Sequence, residues 1–261
     1  TVPSRWLVRL DTVLRGAGLD GVLDRAPNWP AWQAALDRPD GPPAPVAAPA
    51  PRPPVAARPR ALSVTRIEAW MRDPYEIFAR HILRLKPFDV IDADPTAADY
   101  GSFIHHALDE YIRQKEGAGG LDLLLAIGRE VFGPALAQPG IWAFWWPRFE
   151  RIARWFIAQE QERGPNLKKC FTELRGELTF EAPAGRFVLS AKADRIDLLS
   201  DGGIRIIDYK TGMAPSDKEV AAGFAPQLPL EAAIAAAGGF EAVPAGPVAV
   251  LEYWRLSGGD P

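Results

Sequence analysis

Apolar residues recur at helical spacing twice near the start of the chain: Trp6, Leu7, Leu10, Val13 and Leu14, then Trp32, Ala35 and Leu36. Two helices within residues 1–38 bury little surface by themselves. The periodicity then stops. Residues 39–60 hold nine Pro among Ala, Val and Arg, with no aromatic or long apolar anchor. That composition favours extended polyproline backbone and a semi-rigid spacer. It reads as an interdomain linker in preference to a ligand for a proline-reading module.

From residue 61 the pattern is that of packed elements. Leu62-Ser63-Val64-Thr65 leads into a helix carrying Ile67, Trp70, Met71, Ile77 and Phe78, interrupted at Asp73-Pro74. A second helix is predicted over 101–114, with the stripe Phe103, Ile104, Leu108, Tyr111 and Ile112. Two more follow over 121–132 and 142–162, the last rich in Trp and Phe and closed by Gly164-Pro165. The period then switches to strands over 173–181, 186–199 and 203–210. Pro183-Ala184-Gly185 and Ser200-Asp201-Gly202-Gly203 lie between them, a hairpin signature. A helix over 225–237 and a strand over 248–256 complete the series. Together these predict an α/β domain with a mixed sheet, residues 61–261, behind an N-terminal helical extension.

Composition narrows the chemistry. Of 261 residues, 48% are apolar and 24% charged, enough to build a sizeable core. One cysteine, Cys170, excludes a disulfide within the chain and any four-cysteine zinc or iron–sulfur site. It also suggests a reducing compartment. No apolar run approaches a membrane span of ~18–20 residues, and no signal peptide opens the sequence. A soluble cytoplasmic protein with no membrane association is expected. The chain begins at Thr1 and stops at Gly258-Gly259-Asp260-Pro261, which reads as a piece of a longer protein. Its net charge is −3, and nucleic-acid binders are more often basic.

Candidate chemistry concentrates on two strands. Alternation places Ile204, Ile206, Asp208 and Lys210 on one face of the 203–210 run. On the preceding strand it places Lys192, Asp194 and Ile196 together, with Arg195 and Asp197 pointing the other way. If the strands pair through the turn at 200–203, Asp194 and Asp208 converge beside Lys210. Two carboxylates and an amine suit a Mg²⁺ site for phosphodiester hydrolysis, since hard oxygen ligands hold the ion and the ion polarises the phosphate. Asp-X-Lys by itself is more often an ordinary surface ion pair.

Larger blocks decide between these readings. Leu189-Ser-Ala-Lys-Ala-Asp-Arg-Ile-Asp197 followed by Ile206-Ile-Asp-Tyr-Lys-Thr-Gly212 resembles the core of the PD-(D/E)xK nuclease superfamily, in its RecB-like branch. Gly101-Ser-Phe-Ile-His105 is similar to that branch's Gly-x-x-x-His helix. Glu177 falls where an acidic residue opens the sheet, and Gln227-Leu228 begins its Gln-Leu-x-x-Tyr helix. The segment Leu62 to Tyr75 is similar to the family's leading helix. The blocks cover residues 61–256, and AddB-type subunits of bacterial AddAB helicase–nucleases resemble them most. That resemblance makes residues 1–38 the last helices of a helicase-like part and 39–60 its tether.

The resemblance implies roles residue by residue. Asp194, Asp208 and the backbone carbonyl of Tyr209 are expected metal ligands, with His105 adding a ring nitrogen. Lys210 is expected to serve the attacking water. Glu177 is expected to hold a further water or a second ion, and Gln227 to steady the lysine or the DNA backbone. The metal is expected to be Mg²⁺, with Mn²⁺ able to substitute. The implied activity is a DNA exonuclease that leaves 5′-phosphates, in a complex that resects double-strand breaks for recombinational repair. The implied partners are DNA, as a single strand fed by a helicase, and an AddA-like helicase–nuclease subunit. A catalytically silent DNA-binding scaffold and a stand-alone RecB-like nuclease are the competing readings. Two departures stand out. The four cysteines that bind an iron–sulfur cluster in many such nucleases are missing, so no cluster is expected, and packing through Trp70, Phe78 and Trp254 is expected instead. Glu231 stands in the position of the motif's Tyr.

Other features read as structural. Trp142, Trp145, Trp146 and Trp155 could stack bases, but at helical spacing beside Phe149 and Phe156 they fit a core better. Lys168, Lys169, Arg148, Arg151 and Arg154 suit a solvated face or phosphate contacts equally. Cys170 reads as a filler and His106 as solvent-facing or a core hydrogen-bonder. No Gly-x-x-x-x-Gly-Lys-Ser/Thr loop is present for a P-loop motor. Residues 1–60 hold eight Arg against five Asp, a net +3, and so leave −6 for residues 61–261. An acidic domain gains little DNA affinity from counterion release, so delivery of DNA by a partner is expected.

Overall fold

The computed structural model describes residues 2–259 apart from 24–27, 43–44, 89–90, 92–94, 116–118 and 137–138, and only the backbone at 134–136 and 139–141. The chain divides into two units, Thr1–Pro49 and Ala50–Pro261. In the first, Ser4 caps α1 (Arg5–Gly16) and Asn28 caps α2 (Trp29–Leu36), by accepting bonds from backbone N–H groups of the first turn. Neither helix buries a residue.

The second unit is built on a five-stranded mixed sheet. Strand β1 (Ala61–Ser63) leads into α3 (Val64–Arg72), whose N-cap is Ser63. Asp73 ends α3 and caps α4 (Pro74–Ile77), which continues as a π-helical turn over Phe78–Ile82. Helix α5 (Ala97–Gln114) starts four residues earlier than its apolar stripe suggests, because Thr96 and Asp99 form a reciprocal capping box. Then come α6 (Leu121–Leu136), α7 (Pro139–Arg163), β2 (Leu167–Ala182), β3 (Gly185–Leu199) and β4 (Ile204–Lys210). A short α8 (Asp217–Ala221), α9 (Gln227–Ala236) and β5 (Val248–Arg255) end the series. Sequence periodicity missed β1 and α8, each too short to show a period. None of the described helices is long and apolar enough to cross a membrane.

Strand β3 organises the sheet. One edge pairs antiparallel with β2 over nearly its whole length. The other edge is shared: β1 pairs parallel with Val188–Ser190, and β4 pairs antiparallel with Arg195–Leu198. Between these partners the pairing is interrupted at residues 191–194. Strand β5 runs parallel to β4, reached through α8 and α9. Helices cover both faces, as expected for an α/β domain. On one, Ile104, Leu108, Phe132, Phe149, Phe156, Ile207, Tyr209 and Trp254 pack α5, α6 and α7 and the sheet into one core. On the other, Val64, Ala193, Ile196, Ile206, Leu228, Ile234 and Phe240 join α3 and α9 to it. Gly176 is required here, because a Cβ at that position would lie 2.4 Å from the Phe240 ring.

Of the four tryptophans expected in the α7 core, Trp146 is buried and Trp145 partly so, while Trp142 and Trp155 are exposed. Trp146 stacks on Trp142 at 5.5 Å, and Trp155 meets Trp254 edge-on. Trp254 is buried against Phe156 and Tyr209 and so helps to hold the last strand. Trp70, expected to do the same, is 49% exposed and does not. Arg151 instead ties α7 to the carbonyl of Gly258 at 2.6 Å.

Candidate active site

The site forms where the alternation of β3 breaks. Leu189, Ala191 and Ala193 face the α9 layer, and strict alternation would bring Arg195 onto that face next; Ile196 takes the place instead. Asp194 and Arg195, neighbours in sequence, both contact the opposite layer, Asp194 through α5 and Arg195 through α7. The expected grouping of Ile196 with Asp194 is therefore corrected. The break has a counterpart across the ladder. Glu173 sits between the pairs Thr172↔Arg195 and Leu174↔Ala193, opposite Asp194, and its φ of 53° is left-handed. A left-handed residue in a strand changes which face the following side chains occupy.

Four elements then converge. His105 comes from α5, and Gly101 one turn earlier lets that helix approach Thr211, whose Oγ1 would lie 3.1 Å from an added Cβ. The Nε2 of His105 is 3.0 Å from the Tyr209 carbonyl oxygen, and Nδ1 is 3.3 Å from Asp194 Oδ1. The other oxygen of Asp194 accepts the Tyr209 backbone N–H at 2.8 Å, continuing the ladder where the β3–β4 pairing stops. On the α9 side of the sheet, Lys210 Nζ lies 2.7 Å from Asp208 Oδ2 and donates to Gln227 Oε1 at 3.0 Å. Gln227, the first residue of α9, donates through Nε2 to Asp208 Oδ1 at 2.5 Å and to Glu231 Oε1 at 3.2 Å.

Burial and mutual repulsion set the charges. Asp208 is raised to about 6 by burial and by Asp194, against the pull of Lys210 and His105. Glu231 is raised to about 8, chiefly by burial and further by Asp208 and Asp194, against the hydrogen bond from Gln227 and the charge of Lys210. Burial disfavours the charged form of His105, but Asp194, Glu173 and Asp208 outweigh it and raise that group. Two close carboxylates and a third buried acid make a site that calls for positive charge.

His105, Asp194, Asp208, Tyr209, Lys210 and Gln227 are thus brought together. Glu177 is not: it is exposed, paired with Ser190 in the ladder, and its backbone N–H donates to the Gly239 carbonyl. Glu173, four positions earlier, takes the place beside His105 and Asp194. Its carboxylate groups with His105 and Asp194, with one candidate ligand atom from each within 4.8 Å of the others. Only its left-handed backbone brings it there, and no residue pattern announces that. A cleft of about 890 Å³ opens over the group, and Arg113, Arg175 and Lys192 also line it. Asp109, one turn beyond His105, lines the same cleft and accepts from Thr172 and Arg113. His106 is solvent-exposed. Cys170 is a partly buried free thiol, pushed well up by its surroundings and unsuited to nucleophilic attack. Arg148, Arg151, Arg154, Lys168 and Lys169 lie on exposed faces.

Comparison with known proteins agrees with this geometry. A sequence model of the PD-(D/E)XK nuclease superfamily matches residues 61–260. An uncharacterized protein of Rickettsia bellii is 34% identical over 185 residues, covering 70% of this chain and 22% of that protein. An uncharacterized protein of Rickettsia felis is 33% identical over 189 residues with the same coverage. An ATP-dependent helicase/deoxyribonuclease subunit of Clostridium perfringens is 27% identical over 184 residues, covering 60% of this chain and 16% of that subunit. The chain therefore spans less than a quarter of the length of these relatives.

Proposed function

The chain belongs to the PD-(D/E)XK nuclease superfamily, and from that premise we propose that it is a metal-dependent DNA exonuclease domain serving a helicase–nuclease that resects double-strand breaks. The observation that carries this is the convergence of His105 from α5, Asp194 from β3 and Lys210 from β4 on one polar cleft, with Asp208 beneath it against the Lys210 ammonium. The donor set fits a hard divalent cation: carboxylate oxygens of Asp194 and Asp208, the Tyr209 carbonyl and a ring nitrogen of His105. Glu173 is a further oxygen donor in place of Glu177. Mg²⁺, or Mn²⁺ in its stead, would polarise a scissile phosphate and lower the pKa of a bound water there.

The protein's own groups do the rest. Both nitrogens of His105 face oxygen atoms, so its ring must release a proton to act as a ligand. The Lys210 ammonium, held by Asp208 and Gln227, is placed to orient the attacking water and offset negative charge in the transition state. Arg113, Arg175 and Lys192 line the approach and suit a phosphate backbone. The name of the Clostridium relative, a subunit of an ATP-dependent helicase/deoxyribonuclease, supports a helicase partner; in this proposal that partner is an AddA-like subunit that feeds a single strand in the cytoplasm. Residues 1–38 and 39–60 are then the end of the preceding helicase-like part and its tether. The −6 carried by residues 61–261 favours delivered over captured DNA.

End-labelled linear DNA incubated with the purified chain and Mg²⁺ or Mn²⁺ is expected to release nucleotides, and EDTA to stop the release. Binding of DNA without any metal-dependent cleavage would leave the scaffold reading standing instead. Within the site, Glu173→Ala is expected to lower cleavage by about 10- to 100-fold at limiting metal. Glu177→Ala should stay near wild type. Equal losses in the two variants would remove Glu173 from the ligand set.

A further inference from the structure

We infer that Glu231 is a positioning residue of this site, fixing through Gln227 the direction in which the Lys210 ammonium points. The inference rests on the nuclease reading above. Glu231 lies one helical turn after Gln227 on the same face of α9, and it is only 1% exposed. The motif that this helix resembles carries an aromatic residue at that position, so a carboxyl group there changes the chemistry around the glutamine.

The Gln227 amide has two N–H donors and one carbonyl, and all three are used. One N–H goes to Asp208, the other to Glu231, and the carbonyl accepts from Lys210. Turning the amide over would set its carbonyl against two carboxyl groups and its N–H₂ against an ammonium. The observed orientation is therefore the favourable one, and Glu231 anchors it at a third point. Without that anchor a nearly buried N–H loses its acceptor, and the amide plane can swing about the Asp208 contact. Lys210 would swing with it. Burial raises Glu231 to about 8, so the group acts as an acceptor without adding a full third charge beside Asp194 and Asp208. Its second oxygen is buried without a hydrogen-bond partner among the described residues. A simple filler of the core would not need that cost, since a leucine would fill the space.

Three variants of the full chain test this: Glu231→Leu and Glu231→Met, which keep volume but remove the acceptor, and Glu231→Gln, which restores one. The two apolar variants are expected to lower kcat on DNA by about 10- to 100-fold at saturating Mg²⁺, with KM changed by less than about two-fold. Glu231→Gln should recover most of the rate. The side-chain amide resonance of Gln227 in ¹⁵N NMR should shift in the apolar variants and return in Glu231→Gln. Unchanged kcat in folded Glu231→Leu and Glu231→Met, or an unmoved Gln227 resonance, overturns the proposal. So does a Glu231→Gln variant as impaired as the apolar ones, since the carboxylate charge itself would then be required. If the wild-type chain cleaves no DNA, the nuclease reading fails, while the Gln227 resonance still tests the anchoring by itself.

Discussion

Lys210→Ala is expected to cut metal-dependent cleavage of linear DNA by about 10²- to 10³-fold, with the fold left standing. Among the described residues its ammonium is the one cation paired with Asp208, and it is only partly exposed, so water replaces it poorly. Its loss removes positive charge where negative charge develops in phosphodiester hydrolysis. Arginine should not rescue the variant, because a planar guanidinium cannot fill the point-charge position between Asp208 Oδ2 and Gln227 Oε1. Asp208→Asn should be as damaging to activity, through lost metal affinity, and should remove this group's pH-dependent share of stability. The metal-free protein supplies the check. Asp208 is raised when folded from an ordinary carboxyl to about 6. Such a group holds its proton more tightly in the folded state. The stability it contributes is therefore complete below about pH 4 and lost as pH rises through about 6. Urea melts of the metal-free protein should show that fall in wild type and a flatter profile in Asp208→Asn. An active Lys210→Ala, or equal pH profiles, would contradict the assignment.

The second large effect lies behind the site. Arg195→Ala is expected to destabilise the domain by about 3–5 kcal/mol, a large part of the ~5–15 kcal/mol that holds a typical protein folded. Arg195 is fully buried; its Nε donates to Asp197 Oδ1 at 2.7 Å and its Nη1 to Glu160 of α7. Lys115 reaches the same Glu160 at 2.5 Å, and the guanidinium lies over Trp254 at 5.6 Å. Burial opposes the charge, but the groups around it outweigh that and hold Arg195 firmly protonated. Removing it leaves Asp197, equally buried, without a counter-charge. The loss is read from the urea midpoint, and adding Asp197→Asn to Arg195→Ala should restore part of it. A cost below about 1 kcal/mol would mean that water or Lys115 replaces the arginine. Because Asp194 precedes Arg195, this anchor also holds the part of β3 that carries Asp194 in place.

Much of the site is legible in the sequence. Asp194, Asp208 and Lys210 carry their chemistry in residue type and in two-residue spacing along strands, and Gly101 with His105 marks a helix that must approach closely. The order of elements from residue 61 follows from apolar period and turn residues. Other parts are not legible. Arg195 and Asp197 look like the outward face of a strand, because charged residues are rarely buried. Their burial depends on Glu160, 35 residues away from Arg195. Three residues make β1, too few to show alternation, and only its pairing with Val188–Ser190 makes it a strand. Trp70 and Trp254 look equally suited to packing, yet only Trp254 finds a layer to enter.

Residue types and backbone period thus specify which groups can do chemistry and the order in which helices and strands present them. Those properties are local, so a linear reading reaches them. The packing of distant segments adds that Glu173 and not Glu177 stands beside His105, and that Glu231 braces Gln227. It also turns Asp194 on β3 toward α5. These outcomes accompany a left-handed residue opposite Asp194 and rest on contacts between segments far apart in the chain. Spacing along one strand contains no information about either.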